Sequence, residues 1–389
     1  MTLGKGINPF ETAEFLRRLG NVRTEMAQQG VEVLLVSDAA NITYLSGYIA
    51  DSAYVPQVLV VDAVNDEPVL VVRKMDAPAG FHTSFLSRDR VLGYPESLIG
   101  NSEADGYDYV LSYLDTAFRP SAIVAAEKSA LLYRAVTKLE RRLGSRLRDF
   151  STRIGRIRLV KSDSEIAVMQ QAAAIADSAI MRAVEVIRPG VRECEAAGEI
   201  LKVQAAGPPL FGGTHVVPPL ISSTPRIGTP HIYWSDGRFE QGMQVNMEIV
   251  GCRYLYAAGI MRVISLGTPS GRLQRLHEAE LEGMISALDA AKPGATCADV
   301  AHAFHRVLRK HGFHKESRCG YSIGINFLET SASIQAGDQT VLEPNMTFHL
   351  MLGNWVDDDF GYTFSESFRV TQTGAASLSK VPRQLFVTN

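Results

Sequence analysis

Two stretches of this chain stop a helix in the same way, and that repetition limits the fold more than any other feature. A helical pattern over 166–187 runs into VIRPGVREC (186–194), and a second over about 272–291 runs into AAKPGATC (290–297). Proline cannot donate the helical hydrogen bond and glycine adopts the left-handed backbone of a helix end, so Pro-Gly stops both. Another helical pattern follows each stop, EAAGEILKVQ and then ADVAHAFHRVLRKHG. Two such helix pairs separated by β-rich sequence describe a duplicated α+β module. A duplication of this kind builds a cleft on its pseudo-two-fold axis, where ligands bind.

The first long helix opens at Ser162 or Ser164, with Glu165 in its first turn. Ahead of it the order changes. Phe15, Leu16, Leu19, Val22 and Met26 recur at helical spacing up to Gly30; VEVLLVS, QVLVVDA and PVLVVRK then read as strands, and AIVAAE precedes a helix in SALLYRAVTKLERRL. This alternation forms an α/β domain over 1–155. The basic segment STRIGRIRLVKSDSEI leads into a second domain over 156–389.

Composition narrows the function. With 39 Lys+Arg against 42 Asp+Glu there is no basic face for nucleic acid, and a small-molecule partner is expected. Apolar runs such as VPQVLVVDAV fall well short of the roughly 20 residues that span a membrane. Four scattered cysteines without a C-x-x-C pair are the usage of a reducing compartment, and MTLGKGINPFETAEF is too polar for a secretion signal. The expectation is a cytoplasmic protein with no nucleic-acid or membrane partner.

Five motifs then stand in one order: I-x-x-x-R-x-x-K-S-x-x-E-I (154–166), P-G-x-x-E (189–193), G-Y-x-x-G (320–324), L-x-P-x-M-T-F (342–348) and V-T-x-x-G (370–374). Each is weak alone. Together they span essentially the whole chain and resemble the creatinase and aminopeptidase P family. The resemblance implies an α+β fold, in which a C-terminal pita-bread domain, a curved antiparallel sheet flanked by two helix pairs, follows a smaller creatinase-like α/β N-terminal domain. It also implies a homodimer whose first domain reaches the neighbour's cleft. Tyr48, Tyr54 and Gln57 are the candidates for that contact, weighed against simple inter-domain packing.

Peptidases of this family hold two metal ions on two Asp, one His and two Glu. Matched by position, the first Asp falls on Glu248, the second on Gly259, the His on Tyr321, the first Glu on Met351, and the last acid on Glu366, or on Ser365 if the register slips by one. Glycine has no side-chain donor and a thioether is a weak acceptor, so neither a metal nor another cofactor is expected. The resemblance thereby narrows to the family's metal-free hydrolases, creatinase and ectoine hydrolase. SDAANITYLSGY, PHIYW, MEIVGC, CGYSIG, MTFHLMLGNW and SESFRVT are similar to the ectoine hydrolase branch, whereas IADSAYV, NFLETSASI and YAAGIM depart from it along the expected pocket wall.

Opening an amidine ring with water takes a nucleophile or base, a proton shuttle and negative charge for the cation. Glu248, on a buried strand, is assigned as nucleophile or base; Glu366 as the second acid on the ring nitrogen; and His231, placed where creatinase carries its catalytic His, as the shuttle. Arg262 is a candidate for the substrate carboxylate, weighed evenly against a structural ion pair. Tyr321 either orients substrate or fills the space of the missing His, and Met351 and Trp355 line pocket or core. His302, His305, His311 and His314 read as surface groups, and GPPLFGGTHVVPPL as a mobile substrate-facing loop.

The expectation is a metal-independent C–N hydrolase of a small zwitterionic amidine or amide, ectoine first. The alternatives are a creatinase-like amidinohydrolase, an inactive pita-bread module that binds a peptide or protein, and a metallopeptidase using Glu248, Glu366 and His231. Retention of these three together argues against the inactive module.

Overall fold

The computed structural model describes residues 8–52 and 54–388; the first seven residues, within the stretch read as too polar for a signal, lie outside these. The chain divides into two compact units, Met1–Ile157 and Arg158–Asn389. In the first, the helix expected up to Gly30 is Thr12–Gln28, with Phe15, Leu19, Val22 and Met26 buried along one face. Gly30 ends it at φ +62°. Six strands follow in the order Val91–Tyr94, Val69–Arg73, Val58–Asp62, Val33–Val36, Val124–Ala126 and Leu147–Asp149. All neighbours are parallel except Val58–Asp62, which runs against both of its own. The unbroken Val and Leu runs of the central strands suit a sheet covered on both faces.

In the second unit, Ser162 caps the helix Asp163–Val186. Its hydroxyl accepts the Glu165 N–H at 3.2 Å, and the Glu165 carboxylate accepts the Ser162 N–H at 2.9 Å. After the Pro-Gly stop comes Glu193–Ala206; the second copy is Gly271–Ala290 and Cys297–Lys310, opened by Ser270 and Thr296. One sheet holds Leu220–Ser223, Gln244–Arg253 and Tyr256–Leu266 antiparallel, with Phe386–Thr388 added in parallel. The other orders Phe327–Ile334, Gly320–Gly324, Thr347–Met351, Ser365–Val370 and Ala375–Ser377, all antiparallel. Each half has its own apolar core. The helix Asp163–Val186 lies so close to Gln244–Arg253 that a Cβ on Gly251 would come 2.0 Å from the Ala172 carbonyl oxygen. Glycine at 251 and alanines on the helix follow from that approach.

The curved sheet of the second unit is divided at a junction into these four-stranded and five-stranded parts, and Asn354–Asp357 pairs with Phe360–Tyr362 as a separate two-stranded ribbon. Where Tyr256–Leu266 meets Ser365–Val370, serine hydroxyls replace backbone ladder bonds: the Met261 N–H donates to Ser365 Oγ at 2.7 Å, and Ser367 Oγ donates to the Gly259 carbonyl at 2.8 Å. The basic segment has a packing role as well. Arg158 and Lys161 donate to the buried Glu329 carboxylate at 2.7 and 2.8 Å, holding the Phe327–Ile334 strand. No helix among the described residues is long and apolar enough to cross a membrane.

Candidate active site

A cavity of about 330 Å³ opens in the second unit, and its walls bring together Glu248, His231, Tyr321, Met351 and Trp355. Strand geometry accounts for the convergence. Glu248 pairs with Met261 across the hairpin, so both side chains share one side and both line the cavity. Tyr321 comes from Gly320–Gly324, Met351 closes Thr347–Met351, and Trp355 lies on the next strand, Asn354–Asp357.

Glu248 has no cationic partner among the described residues. It lines the cavity, and burial pushes its carboxyl up to about 7. Arg318, which sequence reasoning passed over, lines the same cavity. Its guanidinium carbon sits 4.4 Å from the Tyr321 ring centroid and Nη1 donates to Ser333 Oγ at 3.2 Å, with no carboxylate in ion-pair range among the described residues. The cavity thus pairs an unneutralised acid with an unneutralised base.

His231 stands exposed on the rim beside Thr229 and Pro230. Its loop is held from beneath by Glu193, the acid of the P-G-x-x-E turn. That buried carboxylate accepts two bonds from Arg226 Nη2 (2.7 and 2.6 Å), the Ser235 N–H (2.6 Å), the Ser235 hydroxyl (2.8 Å) and the Ser223 hydroxyl. Burial works to raise the Glu193 carboxyl, but these donors hold it below its ordinary value.

The donor set can be tested against a two-metal centre, and it does not fit. Of Glu248, Gly259, Tyr321, Met351 and Ser365, one residue carries a carboxylate, and no group of three or more His, Cys, Asp or Glu among the described residues could hold a metal ion. The space itself is filled. A Cβ on Gly259 would fall 2.6 Å from the Phe327 ring, so an aspartate there has no room. Phe327 packs with Tyr321 and His349 at centroid distances of 5.8 and 5.4 Å, and Tyr321 meets His349 at 5.5 Å. Asn326 and Phe327 both take left-handed backbone (φ +63° and +67°), a costly conformation for a bulky ring that aims it into this cluster. Sequence reasoning missed Phe327 and His349; strand alternation carried the signal for the latter, two residues before Met351 and on its side.

Four expectations are corrected. Glu366 pairs with Leu350 while Ser365 pairs with Met351, so Ser365 shares the cavity-facing side and Glu366 points the other way. There its Oε2 accepts from Arg383 Nε at 2.7 Å, with Arg262 at 3.9 Å. Arg262 is fully buried and donates to the carbonyls of Met261, Ser365, Pro382 and Val381 at 2.7–3.1 Å, leaving it no reach toward a ligand. The 207–220 loop is tied down rather than loose: Arg253 donates to the Gly212 carbonyl at 2.6 Å, the Gly213 N–H bonds Ala205, and only Leu220 of it lines the cavity. His305 is not a surface group, its Nε2 lying 3.3 Å from buried Cys319 Sγ. In the first unit Tyr54 is 73% exposed and Tyr48 2%, so of the two only Tyr54 has the surface a contact with a neighbouring subunit demands.

Residues 167–372 match metallopeptidase family M24, and residues 18–160 match the creatinase/prolidase N-terminal domain. Similar proteins include one of Sinorhizobium fredii named uncharacterized hydrolase/peptidase y4tL, 48% identical with all of both chains covered. The ectoine hydrolase of Halomonas elongata is 34% identical over 97% of this chain and 98% of its own. Among solved structures, dipeptidase PepE of Mycobacterium ulcerans aligns with a TM-score of 0.82 at 26% identity, covering 99% of both chains.

Proposed function

The chain belongs to metallopeptidase family M24 and carries the creatinase/prolidase N-terminal domain, and from that premise we propose that it is a metal-independent hydrolase opening a C–N bond in a small zwitterionic amidine or amide. The observation that carries the reading is the pair of opposite charges in one small cavity, Glu248 and Arg318, neither neutralised by a described protein group. A substrate cation at Glu248 offsets the desolvation of that carboxylate, and a substrate carboxylate on Arg318 fixes the orientation. Arg318 takes the role first assigned to Arg262.

In the proposed reaction an oxygen, of Glu248 itself or of a water it deprotonates, adds to the amidine carbon. The C–N bond to the leaving nitrogen breaks, and that nitrogen takes its proton from His231, an imidazole being able both to donate and to accept one. Where Glu248 itself attacks, a water then cleaves the C–O bond between its carboxylate and that carbon and frees the carboxylate; by either route the sum is amidine plus water giving amide plus amine. The relative named ectoine hydrolase makes ectoine the first compound to test.

The test is a thermal-shift panel of ectoine, hydroxyectoine, creatine and Xaa-Pro dipeptides, run with and without chelator. A ligand at 100 times its Kd stabilises by about 2.7 kcal/mol, so a true ligand stands clear of the rest. Stabilisation and turnover of ectoine in chelator are expected. Turnover confined to dipeptides with added divalent metal would refute the reading.

A further inference from the structure

We propose that two positions matched to metal ligands of this family, Ser365 and Tyr321, are joined here through His349 into a one-way hydrogen-bond relay, Ser365 to His349 to Tyr321, which points the Tyr321 hydroxyl proton into the cavity and makes Tyr321 a donor to a carbonyl or carboxylate oxygen of the ligand. The proposal deepens the reading above and rests on it only for the identity of that ligand.

The direction follows from counting protons. His349 is fully buried, with Nε2 2.6 Å from Ser365 Oγ and Nδ1 3.1 Å from the Tyr321 hydroxyl. Ser365 Oγ already accepts the Met261 N–H at 2.7 Å, so its own proton needs an acceptor, and among the described residues Nε2 is the one in reach. A neutral imidazole that accepts at Nε2 carries its proton on Nδ1. Burial keeps the ring neutral, with its pKa pushed down to about 3. Nδ1 therefore donates to the Tyr321 oxygen, and the phenol proton must point elsewhere, toward the cavity that Tyr321 lines with Glu248. The reverse polarity would set two N–H donors on Ser365 Oγ and strand a hydroxyl proton in a dry strand pair. Phe327 and His349, both edge-on to Tyr321, fix the ring that carries the hydroxyl. A donor held this way selects a ligand group with lone pairs, and at a carbon under attack it meets the oxygen on which charge builds.

Histidine-selective ¹⁵N NMR of the full chain, with His349→Gln to assign the signal, is expected to show His349 protonated at Nδ1 and bare at Nε2. Should His349→Gln not fold, the single signal displaced in Ser365→Ala assigns it. Ser365→Ala leaves every cavity-lining residue in place; it is expected to release the tautomer preference and to lower kcat on ectoine about 10-fold with KM within about 2-fold, and Tyr321→Phe to lower kcat at least as far. A wild-type ring protonated at Nε2 overturns the relay whatever the substrate proves to be. The expected tautomer in a protein that ignores ectoine supports the relay and removes only the substrate. Unchanged kcat in Tyr321→Phe on any compound of the panel that is turned over overturns the donor role.

Discussion

Glu248 is a carboxylate with no described cation in ion-pair range, Arg318 standing elsewhere on the cavity wall, and this governs how the protein should respond to pH. Its proton is held to about pH 7 in the folded chain against an ordinary value of 4.5. Between those values the folded state binds more protons than the unfolded one, so this group lowers stability as pH rises through that window and adds nothing further above it. The ceiling is about 3 kcal/mol, reduced by whatever water the cavity admits. Glu248→Gln should accordingly melt above wild type at pH 8 and converge with it near pH 4, while losing at least about 10²-fold in kcat. Denaturant melts across pH 4–8 check the first part, and identical pH profiles for the two proteins would show that Glu248 is not the strained acid. A cationic ligand should draw that proton off, so binding near pH 6 releases protons, measurable by calorimetry in buffers of different ionisation enthalpy.

At the scale of elements, the site depends on how loops and strands are held. The loop bearing His231 runs without helix or strand from Thr224 to Gly237, and the five bonds that Glu193 accepts tie it down. Glu193→Gln keeps the size but loses the ion pair with Arg226, so a loss of about 1–3 kcal/mol and faster proteolytic nicking within 224–238 are expected. Because the folded Glu193 carboxyl is held low, its contribution is present above the unfolded pKa and is lost as pH falls through the folded value; wild type and variant should converge in acid. Equal nicking of the two proteins at neutral pH would mean that the clamp does not hold the loop. The same element logic separates Ser365 from Glu366: one step along a strand turns a side chain to the opposite face.

At the scale of the whole molecule, the duplicated helix pairs bring Glu248 from the first half and Tyr321 and Met351 from the second to one cavity. A homodimer in which the first domain covers the neighbour's cleft remains our proposal. Tyr54, 73% exposed with its hydroxyl accepting from Arg73 Nη1 at 2.7 Å, is the residue placed to take part. Light scattering at micromolar concentration should report twice 42.5 kDa, and Tyr54→Ala should raise KM without changing the melting temperature. A monomer with full activity would remove the proposal.

The sequence by itself determined the elements. Pro-Gly stops, the Ser162 and Glu165 capping pair and the Val-rich strands act within a few residues, so helix pairs, strand runs and the α+β class were legible without a fold. Position-by-position matching also reached Glu248, His231, Tyr321, Met351 and Trp355, because each sits in or beside a motif. What it could not read was which way a side chain faces at the junction of two sheets. Whether Ser365 or Glu366 faces the cavity side of its strand, and whether Arg262 or Arg318 has donors to spare, depends on register and on partners 14 or more residues away along the chain. Phe327 filling the place of an aspartate is likewise a contact between strands 68 residues apart at Gly259 and Phe327, and only packing decides it.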